Sequence, residues 1–190
     1  MKTVVISYSY TGNNAVLAAE LAARLGARHV EVRETKNRTL FTIILDVLFN
    51  RRPGVEVDLS EAGSADHVIF VAPVWLGAVA APMRAVFDRL REKVKVYSLV
   101  SFSAGADGPN TGLEKDLVRR MGRRPVLVLN PLITEFLPAD PIPTRKELDA
   151  YRLNERVAAR LAEQLAAKWT ADAGEALPFP HTEATAAAFV

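Results

Sequence analysis

The first fourteen residues restrict the fold more than any other stretch of the chain. Lys2 to Ser7 is an apolar, strand-forming run that passes straight into Ser9-Tyr10-Thr11-Gly12-Asn13-Asn14, and a helix-forming stretch follows. A strand that turns at once into a helix opens a βα unit, the building block of parallel sheets covered on both faces. The turn also carries chemistry. The first N–H groups of such a helix have no partner within it and face the loop, where the helix dipole favours an anion. Ser9 and Thr11 offer hydroxyl donors, Asn13 and Asn14 offer amide donors, and Gly12 lets the backbone come close. No lysine stands in the loop and the Gly-x-x-x-x-Gly-Lys spacing is missing, which argues against a nucleoside triphosphatase. The loop reads as a site for one phosphate monoester. An ordinary N-cap turn of small polar residues is the competing reading.

Strand and helix signals alternate along the rest of the chain. Strands are expected near Thr3–Tyr8, His29–Arg33, His67–Val74, Val94–Phe102 and Pro125–Asn130, and helices near Asn14–Leu25, Leu40–Phe49, Pro82–Glu92, Thr111–Met121 and Lys146–Trp169. Short strands separated by helices imply a parallel sheet with right-handed crossovers and helices on both faces. The pattern is expected to make one domain over 1–169, followed by an Ala-rich tail over 170–190.

Two further loops leave strands in the same sense. His67 to Val74 is a near-continuous apolar run, as in a strand buried on both faces, and it ends in Pro73-Val74-Trp75-Leu76-Gly77 before a helix with Pro82 in its first turn. Trp75 offers a wide π-face to a flat ring, and Gly77 lets a peptide turn toward it; a core tryptophan is the alternative. The third loop, Ser103-Ala104-Gly105-Ala106-Asp107-Gly108-Pro109-Asn110, is small and glycine-rich, suited to close approach of a ligand or to a plain turn. It has no aromatic residue, which leaves Trp75 as the stacking partner from these loops.

These loops resemble those of the flavodoxin family. Its first loop reads Ser/Thr-x-Thr-Gly-x-Thr after a strand, and Ser9, Thr11, Gly12 and Asn13 stand at the matching places, with Ala18 and Leu21 fitting the helix. The chain departs from the pattern at Ser7, where the family usually has an aromatic residue, and at Asn14, where it usually has threonine. The resemblance implies a flavodoxin-like α/β fold: a doubly wound, five-stranded parallel sheet in the order 2-1-3-4-5. The ligand would lie between the first and third strands. It also implies FMN as cofactor, contacted by Ser9, Tyr10, Thr11, Gly12, Asn13 and Asn14, by Pro73, Val74, Trp75, Leu76 and Gly77, and by Ser103, Ala104 and Gly105. FMN is expected rather than FAD because the chain lacks the Gly-x-Gly-x-x-Gly fingerprint of a pyrophosphate site.

Composition narrows the function classes. With no cysteine, thiol redox chemistry, iron–sulfur ligation and cysteine–zinc sites are excluded, and His29, His67 and His181 have no ligand-like spacing. Electron chemistry must then come from a bound organic cofactor. The basic cluster Arg119, Arg120, Arg123, Arg124 lies near Glu114 and Asp116 and reads as a solvated helix end, not a nucleic-acid site. The longest uncharged stretch, Val68 to Met83, is too short to span a bilayer and no secretory signal is apparent, so a cytoplasmic location is expected. Leu40 to Phe49 is apolar on more than one helical face. It is expected to cover the flavin or to form a homodimer contact.

Three functions follow from the resemblance. The first is an FMN protein that transfers electrons between redox partners. The second is an FMN-dependent NAD(P)H:quinone-type oxidoreductase, favoured over a dedicated carrier by the formal charge of only +2 and by the extra apolar helix. The third is a flavin-free domain acting through protein contacts. The partner is accordingly a redox protein or a small quinone-like acceptor. No constellation for acid–base or nucleophilic catalysis is present in the sequence.

Overall fold

The computed structural model describes residues 1–36, 39–105 and 110–172. Its central sheet is built from β1 (Thr3–Ser7), β2 (Arg28–Glu31), β5 (His67–Val71), β8 (Tyr97–Val100) and β9 (Val128–Leu129). The five strands are all parallel and lie in the order β2-β1-β5-β8-β9, the doubly wound arrangement expected from the sequence. β1 and β5 are buried along nearly their whole length, as their unbroken apolar runs require. Two short antiparallel ribbons lie outside this sheet: β3 (Arg33–Glu34) with β4 (Val55–Glu56), and β6 (Val74–Trp75) with β7 (Ala78–Val79).

Helices cover both faces. One layer holds α3 (Ala81–Leu90) and α4 (Leu113–Met121), whose Met83, Phe87, Leu117 and Met121 pack with Ile6, Phe70 and Leu99 of the sheet. The opposite layer holds α1 (Asn13–Leu25), α5 (Arg145–Ala150) and α6 (Glu155–Asp172), with Leu17, Leu21, Leu161 and Leu165 against Val5, Ile69 and Val100. The remaining helix, α2 (Leu40–Leu48), is capped by Thr39 and docks on α3. The buried Arg84 of α3 donates to the carbonyl of Asp46 in α2 (2.6 Å), which also accepts from the Arg51 N–H (3.0 Å), and to the carbonyl of Arg51 just beyond the helix (3.1 Å). Phe41, Ile44, Leu48 and Phe49 are exposed, so one apolar side of α2 is uncovered in the single chain.

Three expectations need correction. The helix expected over Lys146–Trp169 is two helices, interrupted at 151–154. The side chain of Asn13 donates to the Tyr151 carbonyl (3.1 Å) and accepts from the Leu153 N–H (2.8 Å), holding those peptides out of helical hydrogen bonding. The strand expected to reach Val74 ends at Val71, because the chain turns out of the sheet at Pro73 and folds into the β6–β7 ribbon. Finally, the strand expected over Pro125–Asn130 is reduced to two residues, which pair with Leu99 and Val100 at the edge of the sheet. α6 runs three residues beyond Trp169; the rest of the expected tail, with His181, lies outside the described residues.

Candidate functional site

The C-terminal ends of β1, β5 and β8 bring the three loops together. In the first, Gly12 is the N-cap of α1 at φ 94°, a left-handed conformation that glycine adopts without a Cβ clash. No side chain caps this helix, and a Cβ on Gly12 would meet nothing within 4 Å. The Ala15 N–H of the first turn donates back to the Gly12 carbonyl (3.0 Å), which leaves the N–H groups of Asn13 and Asn14 as the first-turn donors available to a ligand. Beneath them the Ser9 hydroxyl oxygen is buried without a hydrogen-bond partner. Thr11 is half-buried beside it and Tyr10 is exposed.

Asn13 and Asn14 do something the sequence did not announce. Asn14 donates to the Phe102 carbonyl and accepts from the Phe102 N–H, both at 2.9 Å, imitating a strand neighbour and fixing the third loop. Asn13 grips residues 151–153 in the same manner. Both side-chain amides are thus spent on protein, and what these two positions can offer a phosphate is their backbone N–H groups.

The second loop is a hairpin. Trp75 pairs with Ala78, and the two residues between, Leu76 (φ 49°) and Gly77 (φ 76°), both lie at positive φ. That is the requirement of the tight turn that matches strand twist, met here by glycine at one position and under strain by leucine at the other. Pro73 and Val74 are half-buried at its base, while Leu76 is 70% exposed at its tip. The half-buried Trp75 has the rings of Tyr8 and Tyr10 edge-on to it, at centroid distances of 5.9 and 6.1 Å. Across the hairpin, the Val79 N–H donates to the carboxylate of Asp116 (3.3 Å), a buried group paired with Arg120 (2.9 Å) and also bonded to Arg119.

The third loop is closed on the protein side. The Ser103 hydroxyl donates to the Asn130 side-chain oxygen (2.9 Å), and the Ile133 N–H donates to the Ser103 carbonyl (2.8 Å). Ala104 is half-buried, and a Cβ on Gly105 would come within 2.8 Å of the Thr134 hydroxyl and 3.0 Å of Leu132, so only glycine fits there. Ala106 to Pro109 of this loop lie outside the described residues.

Sequence reasoning missed two features. Arg120, read as part of a solvated basic cluster, has a side chain only 8% exposed; its spacing of four from Asp116 was the available signal. Arg84 is 2% exposed, and desolvation lowers its pKa from the ordinary arginine value, with Arg120 adding to the effect. Nothing in the sequence marks it as buried. Among the histidines, His29 lies 2.8 Å from the Ser7 hydroxyl and His67 lies 2.9 Å from that of Ser98, both residues being in strands. Burial lowers both pKa values, opposed in His29 by Glu31. No group of acidic, histidine or cysteine side chains suited to a metal ion occurs among the described residues.

Comparison with known proteins settles the family. Residues 1–117, more than half of the 190, match the model of the NADPH-dependent FMN reductase family. The chain belongs to that family. Its cofactor is FMN, and the first loop suits a phosphate: an uncapped helix N-terminus, open space at Gly12 and a buried Ser9 hydroxyl without a protein partner form a donor set that fits an anion. A flavoprotein from Lactobacillus acidophilus NCFM, solved in complex with FMN, is similar with 18% identity and a TM-score of 0.60 over 68% of this chain and 92% of its own. A protein assigned as a flavoprotein from Bacteroides eggerthii DSM 20697 has 18% identity and a TM-score of 0.58 over 87% of this chain and 98% of its own. At such identities these two establish the flavodoxin-like fold and no more. A search of curated proteins finds no match. Among the described residues, no helix is long and apolar enough to cross a membrane.

Proposed function

We propose that this reductase-family protein is an FMN-dependent oxidoreductase that takes electrons from NADPH and hands them to a small quinone-like acceptor. FMN supplies the electron chemistry when bound. The chain's part is to bind and orient. Ser9, Thr11 and the first-turn N–H groups of α1 would hold the phosphate. The hairpin over Pro73–Gly77 would lie along the ring, with Trp75 as its flat neighbour, and Ser103–Gly105 would close the far side. Tyr10 and Leu76 would give the mouth an apolar rim that a flat acceptor can enter.

The observation that carries this reading is the buried Ser9 hydroxyl beside the uncapped start of α1, a donor free to meet a phosphate, in a chain whose matched family uses NADPH and FMN. A near-neutral surface supports an enzyme over a dedicated carrier, since steering toward a charged protein partner needs a strong net charge. We further propose a single domain over 1–169, a cytoplasmic location, where NADPH is available, and a homodimer in which Phe41, Ile44, Leu48 and Phe49 of α2 meet a second copy.

The purified protein should be yellow and release FMN on denaturation, and it should oxidise NADPH steadily when a quinone is added. A colourless protein with no affinity for added FMN would leave only the interaction-module reading. Flavin reduction by a separate reductase but not by NADPH would identify a carrier.

A further inference from the structure

We propose that the 2′-phosphate of NADPH docks in a cleft on the β2 side of the phosphate loop, where Arg33 and Lys36 receive it. The inference rests on the reading above that NADPH is the donor. The cleft holds about 350 Å³ and lies between the start of α1, the end of β1 and the β2–β3 segment. Ser7 and Ser9 line it at the end of β1, Tyr10 forms one wall, and Arg33, Glu34 and Lys36 stand on the other side. It is a crevice beyond the carboxyl ends of β1 and β2, the region where open α/β sheets take ligands.

One side chain connects this cleft to the candidate ring site. Tyr8 meets Trp75 with its ring, at 5.9 Å, and donates from its hydroxyl to Glu34, at 2.7 Å. The proposal sets the nicotinamide beside Trp75 and the adenosine end of the same molecule toward the cleft, with Tyr8 touching both regions. A 2′-phosphate is a compact dianion and needs charged donors in a fork or a cluster. The guanidiniums closest to the second loop are committed: Arg84 to the Asp46 and Arg51 carbonyls and Arg120 to Asp116. Arg33 is not so bound. Its bridge to Glu31 spans 3.3 Å between side chains 77% and 48% exposed, and such surface pairs are worth little. Exchanging Glu31 for a phosphate would cost Arg33 almost nothing, and Lys36, exposed on the same rim, would add a second charge. The two carboxylates have opposite consequences. Glu34 is held by Tyr8, whereas Glu31 competes directly with the phosphate and sets its affinity.

The test uses the FMN-loaded full chain. Adenosine 2′,5′-bisphosphate should bind, by calorimetry, about tenfold or more tightly than adenosine 5′-monophosphate, and an Arg33→Ala/Lys36→Ala double variant should lose the difference. The same variant should reduce the ratio of kcat/KM for NADPH to that for NADH by about tenfold, the loss residing in the KM for NADPH. Glu31→Gln should move the ratio the other way. Both substituted side chains are exposed, and circular dichroism will confirm that the variant is folded. Preference for the 2′-phosphate that survives the double substitution overturns the proposal, as does release of FMN by the bisphosphate, which would assign the cleft to the cofactor's own phosphate. A parent protein that oxidises neither nucleotide refutes the oxidoreductase reading instead, and the calorimetric comparison still decides the cleft.

Discussion

The loops after β1 and β5 are built on opposite principles. The first is locked from behind: Asn13 and Asn14 each bond two backbone groups of distant segments, and the turn's own donors are left outward and unused. The second stands forward as a two-residue hairpin whose tip is exposed and strained; its base is closed by the Ala80 N–H on the Pro73 carbonyl (3.0 Å), the Val79 N–H bonds the Asp116 carboxylate, and two tyrosine rings lie against Trp75. A phosphate demands a fixed set of donors, whereas a ring that accepts successive partners tolerates a wall that can shift. On the reading proposed above, the molecule spends its buried hydrogen bonds accordingly.

The most damaging way to break this comparison is to remove the anchor of the hairpin. Asp116→Ala leaves Arg120 buried without its ionic partner, with only its bond to the Asn50 side-chain oxygen (3.2 Å), and the Val79 N–H without its acceptor. Loss of one member of a buried ion pair costs about 3–5 kcal/mol, to be read from urea denaturation, and FMN affinity should fall with it. Asn14→Ala strikes the locked loop instead. Stranding the Phe102 N–H and carbonyl at about 1–3 kcal/mol each should cost about as much as Asp116→Ala, and it should expose the third loop to hydrogen exchange. Thr11→Val keeps the turn's shape and deletes one proposed phosphate donor. It should weaken FMN by about 1.5–3 kcal/mol, the value of a hydrogen bond to a charged group, and leave the melting temperature of the apoprotein in place. Unchanged FMN affinity would remove Thr11 from the site.

Smaller effects sharpen the contrast. Leu76→Gly relieves a left-handed leucine at the exposed tip, against the entropy that glycine adds to the unfolded chain. The balance should lie within about 1 kcal/mol in thermal melts, while Gly77→Val should weaken the hairpin more. The smallest effect lies away from both loops. His67 is buried beside Ser98 and Trp169, and desolvation lowers its pKa below the ordinary 6.5. Above that ordinary value both folded and unfolded states are neutral and its contribution to stability is fully present. As pH falls toward the folded-state pKa, the unfolded chain takes up a proton that the folded chain refuses, and stability declines. Urea midpoints between pH 8 and pH 5.5 should show this slope, and His67→Gln should flatten it.

What the sequence made legible was whatever repeats locally. Apolar runs gave β1 and β5, turn chemistry gave the first loop, and alternation gave the strand order through its resemblance to a known pattern. The features that escaped are long-range. The break at 151–154 is held by a side chain in α1 as well as by a local cap, the Asn154 side-chain oxygen accepting from the Val157 N–H (2.9 Å); the cap could be read from Asn154 before Glu155, whereas the Asn13 contact could not. The same two asparagines were chemically credible phosphate donors, and only the packing shows that their amides are engaged elsewhere. The ribbon after β5 was hidden because Leu76 is a poor residue for its turn. Arg84 and Arg120 were hidden because burial of a cation depends on partners contributed by other helices.

The Asn13 clamp has a consequence for how the chain assembles. It joins positions 140 residues apart at Leu153 and 138 apart at Tyr151, and its neighbour Asn14 joins positions 88 apart. Contacts of such separation form only after the entropy of closing very long loops has been overcome, which slows folding. Residues 1–117 carry the family match, yet the turn at their beginning receives its back wall from a segment beyond that boundary. A nascent chain that has synthesised the whole matched region still has an unsealed first loop, and its capacity to hold a phosphate would mature only when the last helices arrive.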